Sequence, residues 1–371
     1  MTDNLEILNI QKEIYDFQAI TGPIHEWLYG HLSEMGALVA EFILVGTTFA
    51  IVFTLLGLIL VYAERKICAF FQLRLGPMRV GFWGLAQTVA DAIKLLLKEP
   101  LMNKEADKFL FNLAPFIIIL GSFMALGAVP FAKGLHALDF NIGILYVSAV
   151  SSIGVVGILL AGWASSNKYS LIGAMRSGAQ IVSYELSVGL SLLTIVVLSG
   201  SLQFSEIISS QSDGWWIFKG HIPAIIAFII FMIAATAETN RGPFDLAEAE
   251  SELTAGFHTE YSGIKFSFFF LAEFVNMFIL SAIGATVFLG GWMPFHIGEW
   301  EAFNSAMNYV NPIFWFLGKT SLLIFLMMWF KWTFPRLRID QLLTLEWKYL
   351  LPINMVNLLL VAFIVLMGWH F

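Results

Sequence analysis

Eight apolar stretches divide this 371-residue chain, near 38–63, 109–131, 140–163, 178–199, 222–238, 264–290, 311–334 and 351–370. Each is long enough, or nearly so, to cross a bilayer core of about 30 Å as a helix rising about 1.5 Å per residue. Backbone placed in lipid must satisfy its own hydrogen bonds, which a helix does within one segment. Residues are 58% hydrophobic and only 13% charged, a composition that excludes a soluble enzyme. The expected fold is an all-α polytopic membrane protein of about eight transmembrane helices. The fifth stretch is short and ends at Gly242-Pro243. Such a break suits backbone buried in protein or lining water.

Basic residues set the orientation. The segments after spans one, three, five and seven, with their flanks, hold Arg65, Lys66, Arg74, Arg79, Lys94, Lys98, Lys104, Lys108, Lys168, Arg176, Arg241, Lys265, Lys331, Arg336, Arg338 and Lys348, which is sixteen of the 20 Lys and Arg. The opposite side holds Lys12, Lys133 and Lys219, and Lys319 falls inside span seven. The positive-inside rule therefore puts both termini outside. Residues 1–36 carry Asp3, Glu6, Glu13, Asp16, Glu26 and Glu34 against the single Lys12. They lack the basic start and cleavage site of a signal peptide and read as a polar extension or peripheral helix. Residues 37–371 read as a single transmembrane domain. No internal repeat is visible, which weakens an inverted-repeat transporter reading.

Cys68 is the only cysteine, so the chain alone offers neither a disulfide nor a four-cysteine iron–sulfur site. There is no CxxCH and no GxGxxG or GxxxxGK[ST] loop. If redox chemistry is involved, the electrons reside on a partner.

The first inside segment, 64–108, contains an amphipathic stretch from Leu85 to Lys98. Leu85, Val89, Ile93 and Leu96 share one face, with Asp91, Lys94 and Lys98 off it. Entered through Trp83, it reads as a helix lying in the interface plane. A generic lipid-surface helix fits the pattern; so does one bordering an opening for an amphipathic ligand. Arg65, Arg74 and Arg79, with Gly76-Pro77 between the last two, make a basic turn at the surface. Such a turn suits lipid headgroups, a soluble partner or a polar ligand head.

Six carboxylates crowd the segment between spans five and six: Glu238, Asp245, Glu248, Glu250, Glu252 and Glu260. Buried together they would raise one another's proton affinity, which makes them a candidate proton store or relay. A solvated acidic loop is the plain alternative. A structural ion-pair knot is a second, but Arg241 as the lone cation argues against it. Gly242-Pro243 fits a helix start, with Asp245 near its N-terminus and Asp245, Glu248 and Glu252 sharing a face. Glu185, Glu273 and Lys319 lie well inside spans four, six and seven. Ionisable groups at that depth face the bundle interior and pair, or line water. Glu185 and Lys319 are candidates to compensate one another directly or to couple through water.

These residues resemble the H subunit of NADH:quinone oxidoreductase, respiratory complex I. The resemblance rests on AERK at 63–66, QLRLGP at 72–77, ADAIKLLLKE at 90–99, NKYSLIGAMRSGAQIVSYE at 167–185, ETNRGPFDL at 238–246, EAESELTAGFHTEYSG at 248–263 and RLRIDQLLTLEWKYLLP at 336–352. It implies a membrane-arm subunit that joins the quinone-reducing arm to the proton-pumping arm. By that resemblance Glu64, Arg65 and Arg74 border a quinone entrance and tunnel. Glu185, Glu238, Asp245, Glu248, Glu250, Glu252, Glu260 and Glu273 form or flank an acidic coupling path. The substrate would be ubiquinone or menaquinone. NADH, FMN and iron–sulfur clusters would belong to partner subunits. The neighbours would be peripheral-arm subunits at the quinone site and small membrane-arm subunits leading to antiporter-like ones, in a bacterial inner membrane. No metal and no nucleic acid are implied for this chain. Departures from the family pattern are Ala247 and Thr88 at positions where many relatives carry proline, and Met78 in place of the common asparagine. Two rival readings are the related subunit of a membrane-bound hydrogenase and an autonomous ion or solute transporter. The 45-residue basic segment 64–108 suits the docking of a soluble module better than a simple transporter loop.

Overall fold

The computed structural model describes residues 18–212, 214–246, 254–296 and 300–368. Eight helices among them are long and apolar enough to cross a membrane: Glu34–Phe71, Lys108–Gly127, Gly143–Ala164, Lys168–Ser199, His221–Glu238, Gly263–Phe288, Pro312–Thr333 and Ile339–Leu366. Every expected crossing is present. The described residues contain no strand beyond an isolated Ala132–Leu135 bridge.

The helix ends follow ordinary capping chemistry. Asp107 accepts hydrogen bonds from the Phe109 and Leu110 amides at the start of the second span. Asn167 accepts from Tyr169 at the start of the fourth, and Asn311 accepts from Ile313 just before Pro312. Gly200, at φ 74°, ends the fourth span in the left-handed conformation.

Three spans run longer than their apolar stretches, and the eighth begins at Ile339 rather than near 351. The fourth begins at Lys168 rather than near 178, because the helix continues through its polar first turns. The first spans 38 residues, about 57 Å at the usual rise, and so outruns the bilayer. Its last turns carry Glu64, Arg65 and Cys68 as one rigid unit. A peripheral helix, Gln18–His31, precedes it and is tied to it by His25 and Glu41 at 2.7 Å.

The sixth span is the centre of the bundle. Of its most apolar window 61% is buried, against 17% in the first span and 22% in the eighth. It packs against the first, second, fifth and seventh spans. The fourth packs on the third, fifth and eighth. Close approach comes from small residues, as is usual where no hydrophobic drive separates helix from lipid. Ala114, Ala161 and Ala174 are fully buried at these contacts.

The amphipathic stretch is a helix over Ala86–Leu97, lying against the first and sixth spans. Leu85, Val89, Ile93 and Leu96 are all exposed on it. Gly84, at φ +81°, sits so tightly against the Pro77 carbonyl that a Cβ has no room there.

The segment after the fifth span departs from expectation. Residues 241–246 form turns rather than the first turn of a helix. Gln180 explains this: its amide donates to the Ala237 and Phe244 carbonyls, each at 2.7 Å, and to Asn240 Oδ1 at 3.2 Å. That side chain folds the chain back at the point where a helix was expected. Glu248, Glu250 and Glu252 lie outside the described residues.

Candidate functional site

Four charged side chains from four segments meet at the end of the first span. Glu64 is buried between Arg241 and Lys331. Arg241 Nη1 donates to Glu64 Oε2, and Lys331 Nζ donates to Glu64 Oε1 at 2.5 Å. Arg241 Nε also lies 3.1 Å from Glu273 Oε1, and its guanidinium stacks 4.2 Å from the Phe274 ring centre. Two acids and two bases make this knot electrically neutral, which is what burial requires. An ion-pair knot thus forms around Arg241, but its acids, Glu64 and Glu273, are not among the six that the sequence argument considered. Three of its members, Glu64, Glu273 and Lys331, come from outside the acidic segment.

The knot forms one wall of a cavity of about 500 Å³, lined by Glu64, Arg65, Arg74, Arg241, Glu273 and Lys331. That volume is in the range of small-molecule sites. The basic turn is built into it. Lys66 Nζ donates to the Pro77 carbonyl at 2.7 Å, closing the loop back on the helix. Arg65 Nη1 lies 2.5 Å from Asp91 Oδ2, tying the first span to the amphipathic helix. Burial pushes the Asp91 carboxyl up, but Arg65 and Lys94 more than reverse this and hold it below the usual carboxylate range. Asp91 is thus a fixed anion that orients Arg65. Arg74 Nε donates to Gln72 Oε1 at 2.7 Å.

A second cavity, about 100 Å³, lies deeper, among the second, third, fourth and sixth spans. It has room for about three waters at ~30 Å³ each. Glu185, Glu238 and Glu273 line it together with Asn240, His258 and Asn276. Ser152 of the third span donates to Glu185 Oε1. Glu238 Oε2 is buried with no hydrogen-bond partner among the described residues. Glu273 lines both cavities and is their common charged wall.

The structure thus gathers Glu185, Glu238 and Glu273 into one chamber, and Glu64, Arg65 and Arg74 into another. It separates two acids named from the sequence. Asp245 is partly exposed and pairs with Arg336, whose Nη2 lies 3.3 Å from Asp245 Oδ2. Glu260 accepts from Asn167 Nδ2 at 2.6 Å, at the cap of the fourth span. Sequence reasoning missed Lys331, Ser152, Asn240 and His258 as site residues. Lys331 carried the one usable signal, a cation at the same end of its span as Glu64 is of the first.

Lys319 does not pair with Glu185. Its ammonium donates to the carbonyls of Leu289, Gly291 and Met293 at 2.6, 3.0 and 2.6 Å, and sits 4.4 Å from the Trp215 ring centre. It caps the C-terminus of the sixth span, where carbonyls lack helical partners. Lys319→Met is expected to cost about 2 kcal/mol of stability by stranding those carbonyls. Combined with Glu185→Gln in a thermal-unfolding cycle on the assembled complex, the two effects should add. Coupling between them would restore direct pairing.

A family model described as NADH dehydrogenase matches residues 44–362. A chain of Bacteroides fragilis, named as the H subunit of NADH-quinone oxidoreductase, is 59% identical over 358 residues, covering 96% of this chain and 100% of that one. A Bacteroides thetaiotaomicron chain of the same name is also 59% identical over 358 residues, with the same coverage. One from Brevibacillus brevis is 48% identical over 305 residues, covering 82% of this chain and 87% of its own. With eight apolar spans, a matching family model over most of its length and relatives this similar, the chain belongs to the family of NADH-quinone oxidoreductase H subunits.

Proposed function

We propose that this chain is the membrane-arm subunit that shelters a quinone in NADH-quinone oxidoreductase and couples its reduction to proton movement. One observation carries the reading: Glu273 lines both the Arg65–Arg74 cavity and the Glu185–Glu238 cavity, and Arg241 binds it to Glu64. A quinone head entering the larger cavity meets fixed cations, Arg65 held by Asp91 and Arg74 beside it. Electrons come from partner subunits carrying NADH, FMN and iron–sulfur clusters. Reduction adds negative charge at the head, and Arg241 and Lys331 are cations of the same cavity wall that this charge can draw away from their carboxylates. A carboxylate that loses its cation gains affinity for a proton. Glu273, relieved of Arg241, then exchanges a proton with Glu238 and Glu185 across the smaller cavity, whose volume suits a short water chain. Glu248, Glu250 and Glu252, next along the chain from Asp245, extend the acidic path, and Asp245 and Glu260 flank it.

In this reading the protein spans the bacterial inner membrane, with the loops after the odd-numbered spans on the cytoplasmic side and both termini outside. The sixteen-to-three bias of basic residues supports this. The exposed apolar face of Ala86–Leu97 lies toward lipid and borders the quinone entrance. Further partners are the peripheral-arm subunits at the quinone site and the small subunits leading to the antiporter-like ones.

The test is kinetic. Arg65→Ala and Arg74→Ala should each raise the apparent KM for quinone several-fold, with donor oxidation by artificial acceptors unchanged. Equal loss of both activities would mean that the arginines serve assembly and not the quinone path.

A further inference from the structure

Glu346 belongs to neither cavity. It is fully buried at the start of the eighth span. Oε1 accepts a hydrogen bond from Ser187 Oγ of the fourth span at 2.5 Å. Oε2 is buried and has no hydrogen-bond partner among the described residues. No ion pair reaches it among them either. The turn that it opens, Glu346–Leu350, is π-helical, a local irregularity that often marks functional positions.

The surroundings are polar but uncharged. Ser183, Ser187 and Ser191 recur every fourth residue on the buried face of the fourth span and line about 12 Å of it. From the eighth span, Trp347 Nε1 donates to Ser183 Oγ at 3.3 Å. Asn354 Nδ2 donates to the Ser187 carbonyl at 2.8 Å and to Ser191 Oγ at 2.9 Å. Asn357 Nδ2 donates to the Pro223 carbonyl of the fifth span at 2.9 Å. The eighth span is thus cross-linked to its neighbours by an indole and two amides, which carry no charge and exchange no proton. At 346, on the same interface, stands an acid. An ionised carboxylate with one hydroxyl donor and no cation is a costly thing to bury. What an acid offers there that an amide does not is a proton that can come and go.

The other titratable groups, Tyr184 apart, lie elsewhere. Tyr184, whose hydroxyl donates to the Leu342 carbonyl, is the one on the fourth span near this carboxyl. Glu185 points away into the smaller cavity. The fifth span carries only His221 and Glu238, at its two ends, with Glu238 in that same cavity. Asp340, Lys348 and Tyr349 on the eighth span's own helix are exposed.

We propose that Glu346 is a second proton-binding carboxyl of the membrane interior, on the opposite side of the fourth span from Glu185, exchanging its proton beside Ser187 as the complex turns over. The exchange is a simple protonation, carboxylate plus proton to carboxylic acid, with no change of oxidation state. The turnover part rests on the coupling reading above; the proton-binding part does not.

The experiment is infrared difference spectroscopy on the whole complex in liposomes, in H₂O and D₂O. It is run once as a pH titration without substrate and once on quinone reduction. A carboxylic C=O band that responds to both and shifts in D₂O is expected in the wild type. It should vanish in Glu346→Gln, move in Ser187→Ala, and persist in Glu185→Gln. Gln keeps the shape and the Ser187 contact, so a native gel should show assembly. If it does not, Glu346→Asp and Ser187→Ala carry the same measurement through a shift of the band. A titration spectrum unchanged in Glu346→Gln, Glu346→Asp and Ser187→Ala overturns the proposal. A band that titrates but stays still on quinone reduction overturns its turnover part. Full pumping in Glu185→Gln and Glu238→Gln would instead overturn the coupling reading, and the titration would still decide whether Glu346 binds a proton.

Discussion

Arg241→Met is expected to destabilise the assembled subunit by about 3–5 kcal/mol and to remove most quinone reductase activity. Arg241 is 3% exposed and holds two carboxylates at once, Glu64 and Glu273. The knot of Glu64, Glu273, Arg241 and Lys331 is neutral. Taking out the arginine leaves it with a net negative charge in a place where water cannot repay the loss. The guanidinium also stacks on Phe274, so packing is lost along with charge. Lysine is no substitute, because one ammonium cannot reach both acids in the geometry that a planar fork allows. Charge balance supplies the control. Glu64→Gln in the Arg241→Met background returns the knot to neutrality, with Lys331 and Glu273 as its remaining charges. The double variant should therefore assemble better than Arg241→Met alone, as measured by native gel and thermal unfolding. Strict additivity would show that the four charges do not act as a unit.

The spans were legible because bilayer thickness imposes a length that any sequence must meet. Their ends were less so, and the fourth shows why. Lys168 and Arg176 look like a loop, yet they sit on a helix that continues past the lipid. The amphipathic helix was legible from the spacing of Leu85, Val89, Ile93 and Leu96, which survives intact as an exposed face. Of the site, the residue types were readable and the pairings were not. Lys319 looked like a cation in need of an acid and is instead satisfied by three main-chain carbonyls, which leave no trace in a sequence. Pro243 looked like the first residue of a helix, but residues 241–246 turn, and Gln180, a distant residue, bonds the main chain there through its side chain. Glu346 lies just before the eighth apolar stretch, and its place in the sequence does not mark it as buried. Only the packing of Ser187 against it shows that it is buried.

Glu185→Gln and Glu238→Gln should each lower coupled proton pumping on the order of tenfold or more while the complex still assembles. Gln reproduces the outline of Glu and can still accept the Ser152 hydrogen bond at 185, but it cannot carry a proton. These two positions are cleaner than Glu273, whose loss would also unbalance the Arg241 knot. Neither has a cation beside it among the ion pairs of the described residues, so neutralising either removes no salt bridge. Structural cost should therefore be small, and a functional loss can be read as a loss of protonation. Two acids nearby give the contrast. Asp245 is partly exposed and paired with Arg336, and Glu260 is bonded to Asn167 at a helix cap. Asp245→Asn and Glu260→Gln should keep most of the pumping, because neither side chain lines the smaller cavity. The measurement is proton uptake alongside quinone reduction in liposomes holding the whole complex. If all four variants fall equally, the acidic region acts through its overall charge. If only the two cavity variants fall, protons pass through the chamber that Glu273 shares with the quinone side. Wild-type pumping in Glu185→Gln and Glu238→Gln would remove the chamber from the coupling route altogether.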